Sequence, residues 1–381
     1  MKTLFVIDDP EGKNGAAIAT QAMVRVLRQR GHDVDVFSGE GRKGALAVAR
    51  RGLRDVLCDG SCSCREKIYR IGVTFCKLLG TRYREIPEQD EQDIRKTAAS
   101  YDQIVAVGEN SPYRYVVASL RGVRKVLLVH TDLVGRHAFL GGWRMRERDY
   151  VSVYADMDAV GIVGTANAEN TRRAYPQLAG KIRPFHNLIS VAAPACAGRQ
   201  RDLGGAIKVV SMVRFDRNKD VERMVRVAAR LKGALGKDRF RWTIYGDGER
   251  LDAARALCSE LGVDDVVNLP GYQARESVDL CDFDFMVLVS HYEGLPNVIY
   301  ESFLSGVPVL STRVGGICEQ IEDGVNGWLA DDSEEGVCER MRHLLLHPDE
   351  IDRASQSLSG YVYDNARAVS EMEDLLCLST S

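Results

Sequence analysis

No stretch of the 381 residues approaches the roughly 20 consecutive apolar positions that a membrane-spanning helix needs, so nothing in the chain reads as crossing a bilayer. The opening "MKTLFVIDDPEGKNG" places one lysine before a short apolar run that breaks at Asp8-Asp9. That run is too short for the apolar region of a secretory leader and reads as a first β-strand, so the expected compartment is the cytoplasm. No G-x4-G-K-[ST] phosphate loop occurs, and the loop "DDPEGKNGAA" is not a G-x-G-x-x-G turn, which argues against an NTPase and a dehydrogenase. The ten cysteines sit mostly singly in apolar runs, as Cys281, Cys318 and Cys377 do, so a reduced chain without a disulfide framework is expected. "CDGSCSC" brings Cys58, Cys62 and Cys64 together, but the spacing is neither the C-x2-C of zinc ribbons nor an iron–sulfur pattern, and no histidine is near. A thiol-bearing surface loop is the plainer reading, and the role of the three stays open. "DVD", "DMD" and "DFD" each abut an apolar strand, where aspartates start strands, so no metal and no cofactor is expected.

What is present is an ordinary globular composition, 45% apolar and 28% charged. Its length suits two domains better than one growing core. Net charge is −3, but residues 1–190 carry 30 Lys+Arg against 22 Asp+Glu, and residues 191–381 carry 21 against 32. The basic clusters "RRGLR", "YRYVVASLRGVRK" and "GGWRMRER" lack the interleaved aromatics of a single-strand binder, so no nucleic-acid partner is expected. An anionic membrane surface suits them better, with Phe139 and Trp143 as candidate interfacial anchors; a merely solvated basic face is the alternative.

Short apolar runs alternate with amphipathic stretches throughout. "TLFVID", "HDVDVFS", "DQIVAVG", "KVLLVH" and "MDAVGIVG" read as strands, and "AAIATQAMVRVLRQRG" as a helix ending on glycine. "SVAAPACAGRQRDLGG" has no period and reads as a linker. The pattern then restarts: "IKVVSMV", "FRWTIYG", "DVVNLPG", "FDFMVLVS" and "PVLST" as strands, with helices between. The fold class is therefore α/β, two Rossmann-like doubly wound domains facing a cleft. Residues 1–190 form the first domain, 191–205 the linker and 206–360 the second domain. Residues 361–381 form a C-terminal helix that could pack back on the first.

Three clusters carry chemistry. In "HYEGLPNVIYESFLSGVPVLST", Pro296 suits the first position of a helix, leaving the amides of Asn297 and Val298 to point at an anion. Glu301, four residues after Asn297, lies on the same face and could accept two ribose hydroxyls, while Glu293 reaches the other side of the anion. A solvated helix face explains two glutamates equally well. In "SMVRFDRNKD", Arg214 and Lys219 stand at a strand's carboxyl end; a planar fork and a point charge suit a diphosphate, although isolated surface cations would look the same. In "DDPEGKNGAA", glycine lets backbone approach a ligand.

The order of "GKNGAA", "VLLVHTD", "VSMVRFDRNKD", "WTIYGDGER", "VNLPGY" and "HYEGLPNVIYESFLSGVPVLSTRVGGICEQIEDGVNGWL" resembles the retaining glycosyltransferases of family 4. That group builds polysaccharides and glycolipids from nucleotide sugars on the GT-B fold. The resemblance covers almost the whole chain, is strongest over 207–330, and rests most on the glutamate pair Glu293 and Glu301. It implies that Glu293 contacts the donor sugar and Glu301 the ribose. Arg214 and Lys219 would hold the diphosphate, with amides around Leu295, Asn297 and Val298. Gly15 would come close from the first domain, His130 would touch the sugar hydroxymethyl, and the base would lie near Tyr272. Asn14-Gly15 replaces the two glycines of many members, and Val-Arg-Phe replaces Gly-Arg-Leu. The implied activity is metal-independent transfer, with retention, of a hexose or N-acetylhexosamine from a nucleotide-diphosphate sugar. A UDP-sugar is the expected donor, a glycan or lipid-linked molecule the acceptor, and the inner face of the cell membrane the place of work. The alternatives are a sugar-nucleotide epimerase of the same fold, excluded if nucleotide release needs an acceptor, and a catalytically silent glycan-binding homologue, excluded if purified protein turns over donor.

Overall fold

The computed structural model describes residues 1–8, 15–38, 88–109, 111–140, 147–189, 205–274 and 277–378. The cysteines at 58, 62 and 64, Trp143 and the expected linker lie almost wholly outside these residues.

The first lobe is a parallel sheet of β1 (Thr3–Ile7), β2 (Val34–Ser38), β3 (Gln103–Val107), β4 (Arg124–Val129), β5 (Ala159–Val163) and β6 (Ile182–Phe185), in the order β2-β1-β3-β4-β5-β6. All five residues of β1, β3 and β5 are buried, which is why these strands read as continuous apolar runs: a parallel sheet is covered on both faces. The second lobe contains β7 (Ile207–Met212), β8 (Phe240–Tyr245), β9 (Val267–Gly271), β10 (Phe285–Leu288), β11 (Val309–Thr312) and β12 (Gly327–Ala330), ordered β12-β11-β10-β7-β8-β9. Its core includes the fully buried Trp242, whose indole N–H donates to Ser211 Oγ at 3.0 Å.

The aspartates of the D-x-D stretches start strands. Asp158 accepts the Lys125 N–H and Asp284 the Lys208 N–H, both at 2.7 Å, so each carboxylate pins an amide at the start of the neighbouring strand. Asp102 does the same for Lys2 at 2.6 Å.

The expected helical tail is two helices, Pro348–Ser357 and Asn365–Leu375, broken around Gly360 at φ 77°. The second leaves its own lobe and buries Ala368, Val369, Met372 and Leu375 against Phe5, Ile7, Leu128 and Phe185 of the first sheet. Its terminal carbonyls are satisfied there: Gln103 donates to Leu376 O at 2.9 Å and Arg124 to Leu375 O at 3.0 Å. Asn365 pairs with both backbone groups of Ile189, where the chain leaves the first lobe.

Two expectations about cysteine fail. Cys318 and Cys377 are exposed rather than in the core; among the described residues the buried free thiols are Cys258 and Cys338. Cys281 is disulfide-bonded.

Candidate active site

In each sheet the strand order reverses once: between β1 and β3 in the first lobe and between β7 and β10 in the second. Loops leaving the carboxyl ends of such neighbouring strands diverge and open a crevice. Arg214 and Lys219 follow β7, and Glu293 follows β10. The second lobe's crevice therefore brings together residues 74 apart in sequence: the Lys219 ammonium is ion-paired with the Glu293 carboxylate, both side chains being about nine-tenths buried.

The two loops are cross-tied by Asn218. Its N–H₂ donates to the Tyr292 carbonyl at 3.0 Å, its Oδ1 accepts the Tyr292 N–H at 3.1 Å, and its own carbonyl accepts the His291 N–H at 3.1 Å. Beneath them Asp220, left-handed at φ 37°, caps the helix Val221–Leu235 and faces His291 at 3.3 Å. Asp220 and Asp332 hold the His291 imidazole up at about 9. Arg214 stands apart from the pair: its side chain is 68% exposed and bonded to Asp216 at 2.9 Å, yet its charge still acts on the Tyr292 phenol.

The helix after Glu293 begins at Asn297, with Pro296 as its cap residue rather than its first turn. The cap position shifts by one, and the Asn297 and Val298 amides remain the first of the helix. Glu301 is partly exposed one turn on. Tyr272, 51% exposed, follows β9, three strand intervals from β10, or about 14 Å at the usual sheet spacing.

From the first lobe, Gly15 opens the helix Gly15–Gln29, exposed and with open space where a Cβ would be. Among the described residues no contact joins it to Lys219 or Glu293. His130 ends β4 as expected. Its ring lies edge-on to Phe185 at 5.1 Å, lining a small cavity with Thr20, Met23 and Asn187, and does not touch Lys219 or Glu293. Both ring nitrogens are buried with no hydrogen-bond partner among the described residues, and burial lowers the imidazole to about 4. It is neutral at physiological pH. Two residues on, burial raises the Asp132 carboxyl, although it accepts the N–H groups of Val134 and Gly135 as a helix cap.

The lobes meet through these same loops. The Gly294 backbone lies so close to His130 that an added Cβ would stand 2.5 Å from the His130 carbonyl oxygen. Leu295, 4% exposed, is buried in the first lobe's core. Phe139, a candidate membrane anchor, is 38% exposed and also stacks on His291 at 4.5 Å and leans on Tyr292 at 5.7 Å across the cleft. Glu319 of the second lobe accepts the N–H groups of Thr165 and Ala166 at 3.1 and 2.7 Å, capping the helix Thr165–Ala174 of the first. It also faces His186, as does Glu371.

The sequence reading missed Asn167 and Asn187, whose amides reach the Glu293–Asn297 segment. Asn187 had one available signal, its place just past the carboxyl end of a strand; Asn167, inside a polar helix, had none.

Residues 200–358 match the family Glycosyl transferases group 1. The chain is similar to the lipopolysaccharide core biosynthesis glycosyltransferase LpsE of Rhizobium meliloti (strain 1021), 37% identical over 138 residues. That match covers 36% of this chain and 39% of that relative. It is also similar to the putative colanic acid biosynthesis glycosyltransferase WcaL of Salmonella typhimurium (strain LT2), 30% identical over 34% of each chain. The solved structure of Anabaena HepE in complex with UDP and glucose aligns over 99% of both chains, with a TM-score of 0.67 and 16% identity. Two parallel six-stranded sheets with flanking helices and this likeness make the fold GT-B. Among the described residues no helix is long and apolar enough to cross a membrane, and no cluster of three His, Cys, Asp or Glu side chains could hold a metal.

Proposed function

We propose that this protein is a retaining glycosyltransferase of cell-surface glycan synthesis. It would move a hexose or N-acetylhexosamine from a nucleotide-diphosphate sugar, a UDP-sugar by preference, to a glycan or lipid-linked acceptor. The observation that carries the reading is the buried Lys219–Glu293 pair at the second lobe's crevice, one turn from the Asn297 helix end. It lies in the stretch similar to group 1 glycosyl transferases, and the similar LpsE and WcaL are named for lipopolysaccharide core and colanic acid biosynthesis.

A diphosphate between Lys219 and the free amides of Asn297 and Val298 takes the ammonium as its counterion, and Arg214 can swing from Asp216 to share it. Glu293, released from Lys219, then faces the donor sugar. Glu301 receives the ribose, and the roughly 14 Å to Tyr272 suits the span from diphosphate to base. As the anomeric carbon becomes oxocarbenium-like, negative charge collects on the leaving diphosphate, where a fixed ammonium and helix amides stabilise it without a metal. The acceptor hydroxyl attacks from the face the diphosphate leaves, and a departing phosphate oxygen takes its proton. The neutral His130 ring can hydrogen-bond a sugar hydroxyl without adding charge. A basic first lobe fits a lipid-linked acceptor held at an anionic membrane surface.

A thermal-shift panel of nucleoside diphosphates is expected to single out one base, and Lys219→Ala is expected to cut donor turnover by ~10²–10³. If Lys219→Ala and Arg214→Ala both turn over donor as the wild type does, the reading fails.

A further inference from the structure

The segment that would contact the donor is anchored by the opposite lobe. Asn167, fully buried on the helix Thr165–Ala174, shares its two amide hydrogens among three carbonyls: Val163 at 3.0 Å in its own lobe, and Gly294 at 3.2 Å and Glu293 at 3.3 Å across the cleft. Its Oδ1 has no partner among the described residues, so the side chain is placed for its donors. Asn187 gives the next grip, donating to Asn297 Oδ1 at 2.8 Å and to the Leu295 carbonyl at 3.4 Å. Between these two grips Leu295 is sunk among Phe5, Val163 and Phe185. Gly316, on the far side of the turn, leaves room for the amide: a Cβ there would stand 2.9 Å from Asn167 Nδ2.

Within the second lobe the Glu293 carboxylate is paired with Lys219, but the described hydrogen bonds to the backbone of residues 293–296 are few. The Glu293 carbonyl accepts the Gly316 N–H at 3.3 Å, and Gln320 donates to Pro296 O at 3.2 Å. Once Lys219 turns to a diphosphate, a backbone with so few bonds in its own lobe is held in place chiefly by the lobe docked on it.

We propose that Asn167 is a positioning residue: by binding the Glu293 and Gly294 carbonyls across the cleft it holds the backbone that carries Glu293 once Lys219 has left that carboxylate for the diphosphate. The inference rests on the glycosyl-transfer reading above for its kinetic consequence. The diphosphate grip of Lys219 and the Asn297 helix belongs to the second lobe alone. Asn167 therefore governs turnover more than diphosphate binding.

The test is Asn167→Asp, which turns two donors into carboxylate oxygens facing carbonyl oxygens, beside Asn167→Ser, which retains one donor and covers the case in which the aspartate variant does not fold. With the nucleotide sugar that wild type turns over best, kcat is expected to fall ~100-fold in Asn167→Asp and ~10-fold in Asn167→Ser. The Kd for the matching nucleoside diphosphate should stay within about 3-fold, because the grip on it is intact. Unchanged kcat, or kcat and diphosphate affinity lost in parallel, overturns the proposal. Spin labels on exposed Lys96 and Asp238 add a readout independent of turnover: with nucleoside diphosphate present, the interlobe distance is expected to lengthen or broaden in Asn167→Asp. If the wild type turns over no nucleotide sugar, the functional reading fails and the distance alone judges Asn167, an unchanged distribution refuting its cross-lobe role.

Discussion

Raising the pH should loosen the seam between the lobes, through His186. Its Nδ1 stands 2.7 Å from Glu371 and its Nε2 3.5 Å from Glu319, which itself caps the first lobe's Thr165 helix. Burial alone would push this imidazole towards neutrality; the two carboxylates outweigh it and raise the group from 6.5 to about 9. A group with a raised folded pKa stabilises fully below its unfolded value and ceases to do so as pH climbs through the folded one. The contribution is therefore complete below about pH 6.5 and gone above about pH 9. A gap of about 2.5 corresponds to about 3.5 kcal/mol at ~1.4 kcal/mol per pH unit. Glu319 and Glu371 are each about a fifth exposed, and screening by that solvent brings the working figure to ~2 kcal/mol. His186→Gln retains a hydrogen-bond donor and removes the charge. Urea unfolding of both proteins at pH 6.0, 7.5 and 9.5 is expected to give a stability difference of ~2 kcal/mol at the lowest pH that shrinks towards zero at the highest. A difference constant across the three pH values would refute the argument, since a packing defect alone would produce one.

Gly294→Ala is expected to leave each lobe folded but to cut donor turnover by at least ~10-fold, because a Cβ meeting the His130 carbonyl at 2.5 Å and Val163 Cγ1 at 2.8 Å forces the loop off the first lobe. Wild-type turnover in that variant would mean that the lobes do not meet at this point during catalysis. Met372→Ala, deep in the first lobe's core although it lies past the second lobe in sequence, should cost about 2–4 kcal/mol in urea unfolding. A cost under about 0.5 kcal/mol would show the closing helix to be a loose appendage.

The central strands were legible because burial on both faces leaves an unbroken apolar run: "TLFVI", "QIVAV" and "FMVL" contain two polar residues, Thr3 and Gln103, each opening its strand, buried and bonded to the other. The unread strands, β6 "IRPF" and β12 "GWLA", stand at sheet edges, where four residues and a proline give little pattern. The helix "TANAENTRRA" was unread for the opposite reason: it is mostly polar, and its buried face consists of Asn167, Ala168 and Thr171. Charged candidates announced themselves by their position after strands. The neutral amides were harder to read: Asn187 follows a strand that itself went unread, and Asn167 and Asn187 reach carbonyls 126 and 108 residues away, which have no sequence signature. Phe139 was read as an exposed aromatic beside a basic run, and it is exposed; its stacking on His291 had no signal in the sequence.

Why the seam between the lobes is built so largely of backbone follows from the same geometry. A site shared by two crevices requires their loops to approach closely, and side chains on both would hold them apart. At Gly164, Gly294, Gly315 and Gly316 a Cβ would intrude within 3.1 Å of the facing lobe, at Glu319, His130, Asp132 and Asn167 respectively. With side chains absent there, the groups left to join the lobes are carbonyls and amides, which call for short neutral donors and caps: Asn167, Asn187 and Glu319. Such bonds are individually worth only about 1 kcal/mol. A seam at the cleft made of a few of them, Leu295, the Phe139 stack on His291 and one titrating histidine can hold without locking, as a donor-binding cleft that must admit and release its ligand requires.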